Sequence, residues 1–385
     1  MAKVLTDSQN YTNIANVIRE KTGTTDSFKP SEMATAIGTL NIGDERFEKL
    51  FKGTLTEFND EKGEIMQLRA GAFAYCSSLT SVNFLRCRSI NNNTFEGCTS
   101  LTSVSFQTCT DIGSYAFKDC TSLTSVSFPT CSTINNNAFA NCSSLMSINF
   151  PFCSSIGDYA FVNCSSLISV DFRKCTNIGD YAFQSCTSLT SVNFSSCTSI
   201  SPCAFEGCTS LTSVSFPLCT NIGANAFGSC TSLTSVSFSL CTNISNLAFM
   251  GCKLLVSVSF PKCITINHSA FGNCSSLASV NFPKCTTVSS NAFYRNYSMS
   301  RASFPICSRI GSNAFYQCSR LISLYLDQTT SVCTLANSNA FTSTPIGGYS
   351  TVAGRYGSIY VPEDLLASYK TATNWTYFSR RFVEV

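Results

Sequence analysis

A phenylalanine recurs every 22 residues through the middle of this 385-residue chain, and this period constrains the fold more than any other feature. The series is Phe73, Phe95, Phe117, Phe139, Phe161, Phe183, Phe205, Phe227, Phe249, Phe271, Phe293 and Phe315, without a single insertion. A fixed period of about 20–50 residues is the signature of a solenoid, in which each repeat forms one coil. Since one coil cannot bury enough apolar surface to fold alone, the coils are expected to stack.

The spacing within each repeat is also fixed. The first repeat has the pattern Ala72-Phe73-x-x-Cys76-x-x-Leu79-x-x-Val82-x-Phe84-x-x-Cys87-x-x-Ile90. Leu79, Val82 and Phe84 have the spacing of a leucine-rich repeat, where a short strand precedes a looser return segment. Two residues separate Cys87 from Ile90 where the general pattern has one, which indicates a variant subclass. The sequence therefore predicts an α/β solenoid of 22-residue leucine-rich repeats with a parallel sheet on one face.

The composition changes at both ends of the repeats, and this divides the chain into three predicted parts. Residues 1–45 are a helical attachment module, residues 46–345 are the solenoid with a degenerate first coil, and residues 346–385 are a cap. A cap is expected because open solenoid ends expose apolar coils and strand edges. Residues 358–361 predict a strand that ends at Pro362, followed by a helix over residues 363–371.

Two short helices are predicted in the attachment module. The candidate attachment residues are Ile14, Val17, Ile18, Phe28 and Met33. The degenerate first coil is predicted from Leu55, Phe58, Ile65 and Leu68.

The 24 cysteines, against the single His268, need a positional explanation. Eleven form one column of the repeat and begin at Cys76, and eleven form a second that begins at Cys87. Because free cysteine is among the most buried residue types, we interpret both columns as small buried side chains at the corners of each coil. Cysteines of neighbouring coils would lie close enough for a disulfide. Their side chains would point in the same direction, however, which disfavours a bridge. With no Cys-x-x-Cys pair in the sequence, neither a metal nor another cofactor is expected.

Cys203 stands outside both columns, as does Cys333. The position that Cys203 occupies in its repeat holds surface residue types in other repeats, such as Tyr115 and Asn137. Either an exposed thiol or a neutral substitution fits this position. No neighbouring base or positive charge in the sequence would activate the thiol.

The outward positions of the predicted strand are mostly Ser, Thr and Asn. These side chains either keep an uncharged sheet face soluble or form a surface that contacts a glycan or ice. Between residues 284 and 325, five basic residues and no acidic one are interleaved with tyrosines. The arginine guanidinium can bind a carboxylate or a phosphate through two hydrogen bonds, and the tyrosine ring provides a rigid contact surface. The candidate ligand-binding residues are Tyr294, Arg295, Tyr297, Arg301, Arg309, Tyr316 and Arg320. These basic residues and tyrosines also fit an alternative interpretation, in which the last repeats are atypical because they lie next to a cap.

Composition excludes several other functions. A charged fraction of 12% and a net charge of +3 argue against nucleic-acid binding. No apolar run predicts membrane insertion or a secretory signal, so synthesis in a reducing cytoplasm is expected. Asp158 and Asp180, 22 residues apart, are the one acidic pair expected on adjacent coils. Without a nucleophile or a cleft signal they are interpreted as solvated aspartates, and no enzyme is predicted.

The unit Ala-Phe-x-x-Cys-x-Ser-Leu-Thr-Ser-Val-x-Phe, clear at residues 182–194 and 226–238, resembles the BspA-like leucine-rich repeats. The ending with Ile359-Tyr360-Val361-Pro362 and Trp375 is similar to the segment that often follows them. This resemblance implies adhesion and binding. As a BspA-like surface adhesin or protein-binding scaffold, the chain would be located at the bacterial cell surface.

The opening Tyr11-Thr12-Asn13-Ile14-Ala15, with Phe28-Lys29-Pro30-Ser31-Glu32-Met33, resembles N-terminal segments of tail-fibre and other tail proteins of phages that infect Gram-positive bacteria. This implies a receptor-binding component of the virion tail, synthesised in the bacterial cytoplasm. It would dock onto tail or baseplate proteins through residues 1–45 and bind a bacterial surface glycan, anionic polymer or protein through the solenoid. A homo-oligomer is compatible with that role, although no heptad segment enforces one. The adhesin is the alternative to this tail component.

Overall fold

A computed structural model describes residues 54–60 and 62–385. The described residues belong to two compact units, Met1–Thr187 and Ser188–Val385. The predicted attachment module, with Ile14, Val17, Ile18, Phe28 and Met33, lies outside the described residues.

In the first unit each coil contributes one longer and one two-residue strand, and these strands pair in parallel. The longer strands are β1 (Glu57–Asp60), β3 (Ser81–Phe84), β5 (Ser103–Phe106), β7 (Ser125–Ser127), β9 (Ser147–Asn149) and β11 (Ser169–Asp171). The short strands are β2 (Gln67–Leu68), β4 (Ser89–Ile90), β6 (Asp111–Ile112), β8 (Thr133–Ile134), β10 (Ser155–Ile156) and β12 (Asn177–Ile178). The six short strands form one sheet, whereas the longer strands pair in groups such as β1-β3-β5. Pairing advances by one repeat, so that Ser81 lies opposite Ser103.

The second unit repeats this plan and adds the cap. Its longer strands are β13 (Ser191–Asn193), β15 (Ser213–Ser215), β17 (Ser235–Ser237), β19 (Ser257–Ser259), β21 (Ser279–Asn281), β23 (Arg301–Ser303), β25 (Ser323–Tyr325), β27 (Ser358–Val361) and β28 (Phe382–Glu384). Its short strands are β14 (Ser199–Ile200), β16 (Asn221–Ile222), β18 (Asn243–Ile244), β20 (Thr265–Ile266), β22 (Thr287–Val288), β24 (Arg309–Ile310) and β26 (Thr334–Leu335). The helices are α1 (Leu366–Thr371) and three 3-10 turns, Ser338–Phe341, Glu363–Leu365 and Thr376–Phe378.

The repeat phenylalanines form a stacked column inside each unit. The Phe249 ring is fully buried and stacks on Phe227 at 5.3 Å and on Phe271 at 5.2 Å between ring centroids. It also meets Phe260, from the second phenylalanine column, edge to face at 5.9 Å. These centroid distances follow the strand spacing of about 4.8 Å, because each coil supplies one ring to each column. Each such pair contributes roughly 0.5–1.5 kcal/mol beyond the burial of its area.

Two positions in most coils adopt the left-handed backbone conformation, two residues before and two residues after the repeat phenylalanine. In the coil of Phe249 they are Leu247, with φ 62°, and Gly251, with φ 76°. Their N–H groups donate to the next coil, Leu247 to His268 O at 2.9 Å and Gly251 to Gly272 O at 2.8 Å. These turns therefore join neighbouring coils by main-chain hydrogen bonds.

The predicted solenoid of 22-residue coils is confirmed, and the four residues of the degenerate first coil are buried. The strand predicted in the cap is β27, and the predicted helix begins with a 3-10 turn before α1. The helix content is low, since α1 is the only α-helix among the described residues. The short-strand sheet was not predicted, because its strands span only two residues and leave no alternating pattern.

Candidate functional site

The cysteine columns hydrogen-bond to the main chain. In the first column the Cys252 thiol donates to Phe227 O of the preceding coil at 3.2 Å. In the second column the Cys241 thiol donates to Asn243 O, two residues ahead, at 3.2 Å. All 24 cysteines are unbridged and buried. This agrees with the interpretation of the columns as buried corner residues.

Burial also makes these thiols poor nucleophiles. It raises the pKa of Cys252 from its ordinary value of 9.0 to about 12, and the pKa of Cys241 to about 11. Since the thiolate is the reactive form, neither cysteine is activated at neutral pH. Cys203 is only 9% exposed, and Asn225 Nδ2 lies 3.8 Å from its sulfur. The exposed-thiol alternative for Cys203 was therefore wrong, because this amide of the next coil covers the turn.

The acidic pair lies on adjacent coils and serves the backbone. Asp158 Oδ1 accepts a hydrogen bond from Asp180 N at 2.9 Å. At the same repeat position Asn136 Oδ1 accepts from Asp158 N, and Asn246 Oδ1 accepts from His268 N. Partial burial, and then the Asp158 charge, raise the pKa of Asp180. These side chains are structural acceptors, a role that the sequence interpretation of solvated aspartates missed.

No metal centre or membrane segment is found in the part of the chain that the structure describes. Across residues 54–60 and 62–385, no three His, Cys, Asp or Glu side chains are grouped so that they could hold a metal ion. No helix in those ranges is both long and apolar enough to cross a membrane.

Some of the hydroxyl groups beside the strands form hydrogen bonds between neighbouring coils. Thr212 Oγ1 donates to Thr190 O at 3.1 Å, and Ser132 Oγ donates to Thr110 O at 3.1 Å. Each hydroxyl thus bonds to the preceding coil. Serines of the longer strands, such as Ser235 and Ser237 at the two ends of β17, remain exposed. Part of the hydroxyl surface is therefore structural, and these exposed strand serines are the part open to a ligand.

The predicted ligand-binding residues occupy three segments of the coil. Arg301 lies on β23, where its guanidinium carbon is 4.1 Å from the centre of the Tyr325 ring. Arg309 lies on β24, in the short-strand sheet. Arg295, in a left-handed turn, donates from Nε to Gln317 Oε1 at 3.0 Å. The remaining members, Tyr294, Tyr297, Tyr316 and Arg320, lie between the short and longer strands. Whether these residues bind a ligand stays a prediction.

Two of these tyrosines face the preceding coils. The Tyr294 ring lies over Gly272, and its hydroxyl accepts a hydrogen bond from Asn273 Nδ2 at 3.2 Å. Tyr297 is 45% exposed and lines a groove on the turn side of the coils.

This groove, which we call the turn groove, has a volume of about 670 Å³ and lies entirely in the second unit. Its lining includes Glu206, Ser229, Gly251, Lys253, Asn273 and Tyr297. Sequence reasoning missed it, because the groove depends on small side chains at turn positions. The available signal was Gly251, which stands where neighbouring coils have Asn273 and Arg295.

The model of the BspA type leucine rich repeat region matches residues 40–168, 132–256 and 242–352. The chain belongs to the BspA-type leucine-rich repeat family. The match begins at residue 40, so the resemblance of residues 11–33 to phage tail proteins stays a prediction. Proteins of this family are generally non-enzymatic binding scaffolds.

Several solved leucine-rich repeat structures are similar to this BspA-type chain. A leucine-rich repeat protein from Bacteroides ovatus is 27% identical, with a TM-score of 0.53 over 71% of this chain and 79% of that chain. A leucine-rich repeat protein from T. pallidum is 27% identical, with a TM-score of 0.34 over 44% and 71%. A leucine rich cell surface protein from Faecalibacterium prausnitzii is 19% identical, with a TM-score of 0.40 over 84% and 82%. A search of curated proteins found no match.

Proposed function

We propose that this BspA-type chain is a non-enzymatic binding protein of the bacterial cell surface, which recognises a glycan or protein through outward side chains of its coils. One observation carries this proposal: the coil interior is nearly invariant, whereas most departures from the repeat point outward. Met146 and Val256, for example, replace the usual threonine beside the longer strand and are about half exposed. Exposed apolar and aromatic side chains on a rigid frame are what a recognition surface requires.

The groups inside the coils support binding over catalysis. Burial keeps thiols such as that of Cys252 in their protonated form by raising the pKa, and the Asp158 carboxylate accepts a main-chain hydrogen bond. A general base has to reach a reacting proton in a cleft, and neither group is so placed.

Surface plasmon resonance with the full chain tests the proposal against three immobilised probes: a mucin-type glycoprotein, an extracellular-matrix protein and purified bacterial cell wall. Saturable binding to the glycoprotein or the matrix protein is expected. The double substitution Arg301→Ala and Tyr316→Ala should weaken it at an unchanged unfolding temperature. As a matched control, Arg88→Ala with Tyr115→Ala removes the same side-chain types from the first unit. No binding to any probe would refute the proposal.

A phage tail component is the second candidate, and residues 11–33 favour it. This candidate predicts exclusive binding to the cell wall and neighbouring genes for tail and baseplate proteins. It also predicts that Ile14→Asp with Val17→Asp abolishes docking onto tail proteins while cell-wall binding persists. A gene neighbourhood without tail genes would count against it.

A further inference from the structure

We propose that the turn groove binds an extended, uncharged oligosaccharide. This inference rests on the proposed binding function and names the ligand class for one surface of the second unit. The groove runs from the coil of Glu206 to the coil of Tyr297, which are four repeats apart. At about 4.8 Å for each coil, this is a length of roughly 19 Å, which suits a chain of several sugars.

Small residues at the turn positions create the space. Gly251 and Ser229 occupy the left-handed position after the repeat phenylalanine, where Asn273 and Arg295 stand in the next two coils. A Cβ atom added to Gly251 would meet no atom closer than Ser229 Oγ, at 3.7 Å. The groove is therefore open at Gly251, and a larger side chain there would occupy it.

The lining matches the two-sided chemistry of a sugar ring. Leu247 and Met250 are half-buried and give the groove apolar contact surface, and the exposed Tyr297 ring lies at one end. Asn273 and Ser275 supply amide and hydroxyl groups beside them. A pyranose ring has apolar C–H faces and hydroxyl edges. Binding sites of this kind combine apolar surface with a few polar groups that fix the ligand's orientation.

The main chain of the groove argues against a peptide ligand. An extended peptide is usually held by backbone hydrogen bonds to an open strand edge. Here the turn N–H groups already donate to neighbouring coils, as Ser229 N does to Met250 O at 2.7 Å and Asn273 N does to Tyr294 O at 2.9 Å. Recognition must therefore come from side chains.

The charges of the groove argue against a polyanion. Glu206 and Lys253 both line it, so their formal charges cancel. A polyanion gains affinity from a surface of one sign, which the groove lacks. Anionic ligands would instead favour the arginines at 295, 301, 309 and 320.

The full chain should be applied to an array of neutral and acidic mono-, di-, tetra- and hexasaccharides, followed by calorimetry with the strongest neutral binder. Neutral tetra- or hexasaccharides should bind, and the matching monosaccharide should bind at least tenfold more weakly. Gly251→Asn should reduce the affinity at least tenfold, because asparagine adopts the same backbone conformation in Asn273 and would fill the space. Tyr297→Ala should cause a similar loss.

Two control variants make the same kinds of change outside the groove. Ser185→Asn adds the same amide at the same turn position outside the groove, and Arg88→Ala removes an exposed charge outside it. Both should leave the affinity unchanged, and all four variants should keep the wild-type unfolding temperature within a few degrees. Acidic-only binding, equal affinity for the monosaccharide, or unchanged binding by Gly251→Asn would overturn the inference. A chain that binds the glycoprotein or matrix probe but no oligosaccharide would refute the groove ligand and keep the proposed function.

Discussion

Asn296 interrupts the first cysteine column, and its replacement by cysteine should stabilise the second unit. Asn296 is fully buried, and its Nδ2 donates to Phe271 O at 2.8 Å and to Phe293 O at 2.7 Å. Its Oδ1 is buried without a hydrogen-bond partner. Cysteines of this column donate to a phenylalanine carbonyl of the preceding coil, as Cys318 does to Phe293 O at 3.0 Å.

The magnitude follows from these contacts. An orphaned buried acceptor costs about 1–3 kcal/mol, and one lost neutral hydrogen bond costs about 0.5–1.5 kcal/mol. Asn296→Cys removes the orphaned acceptor and exchanges the two short amide hydrogen bonds for one thiol hydrogen bond, while the longer contact to Tyr294 O at 3.5 Å adds little and Phe293 O keeps its bond from Cys318. The net gain in unfolding free energy is about 1 kcal/mol, which raises the unfolding temperature by about 2–4 °C in a unit of this size.

Thermal unfolding followed by far-UV circular dichroism under reductant measures this change. The reciprocal variant Cys274→Asn buries a second amide in the neighbouring coil and should lower the unfolding temperature by a similar amount. A loss of stability in Asn296→Cys together with a gain in Cys274→Asn would refute the hydrogen-bonding role assigned to the column.

Three further outcomes can be measured on the same chain. Burial raises the pKa of the Cys252 thiol from 9.0 to about 12. The stability contributed by this protonated thiol is therefore complete below pH 9 and is lost as the pH rises towards 12. Unfolding temperatures measured under reductant should fall between these two pH values. Phe249→Ala should cost about 3–5 kcal/mol in urea unfolding, whereas Phe152→Ala, at an exposed ring, should cost no more than about 1 kcal/mol. Tyr369→Phe removes the hydroxyl that accepts from Cys333 N at 3.0 Å, so it should cost about 1–3 kcal/mol by calorimetry, and an unchanged stability would contradict this contact.

The repeat pattern predicted the interior because one rule acts in every coil. Each buried column is occupied in nearly every coil by one residue type that stacks on itself, so the spacing of Phe249 from Phe227 and Phe271 gave both register and burial. The cap was predictable for a similar reason, since Pro362 ends β27 and Trp375 anchors the core by donating from Nε1 to Cys333 O at 2.6 Å.

The exterior was less predictable because it depends on contacts between coils. Cys203 shares a repeat position with surface residue types, yet the Asn225 amide of the next coil covers it. The turn groove arises where side chains are small, and a single-repeat pattern records Gly251 only as a substitution. The arginines at 301 and 309 are eight residues apart in sequence, but they lie on separate sheets.

The proposed function requires that this BspA-type chain binds its ligand without transforming it. The most direct test is an equilibrium binding isotherm of the full chain with the surface polymer it retains, followed by size analysis of the recovered polymer. We expect saturable, reversible binding and a polymer of unchanged length. A polymer that is shortened in proportion to incubation time would contradict it.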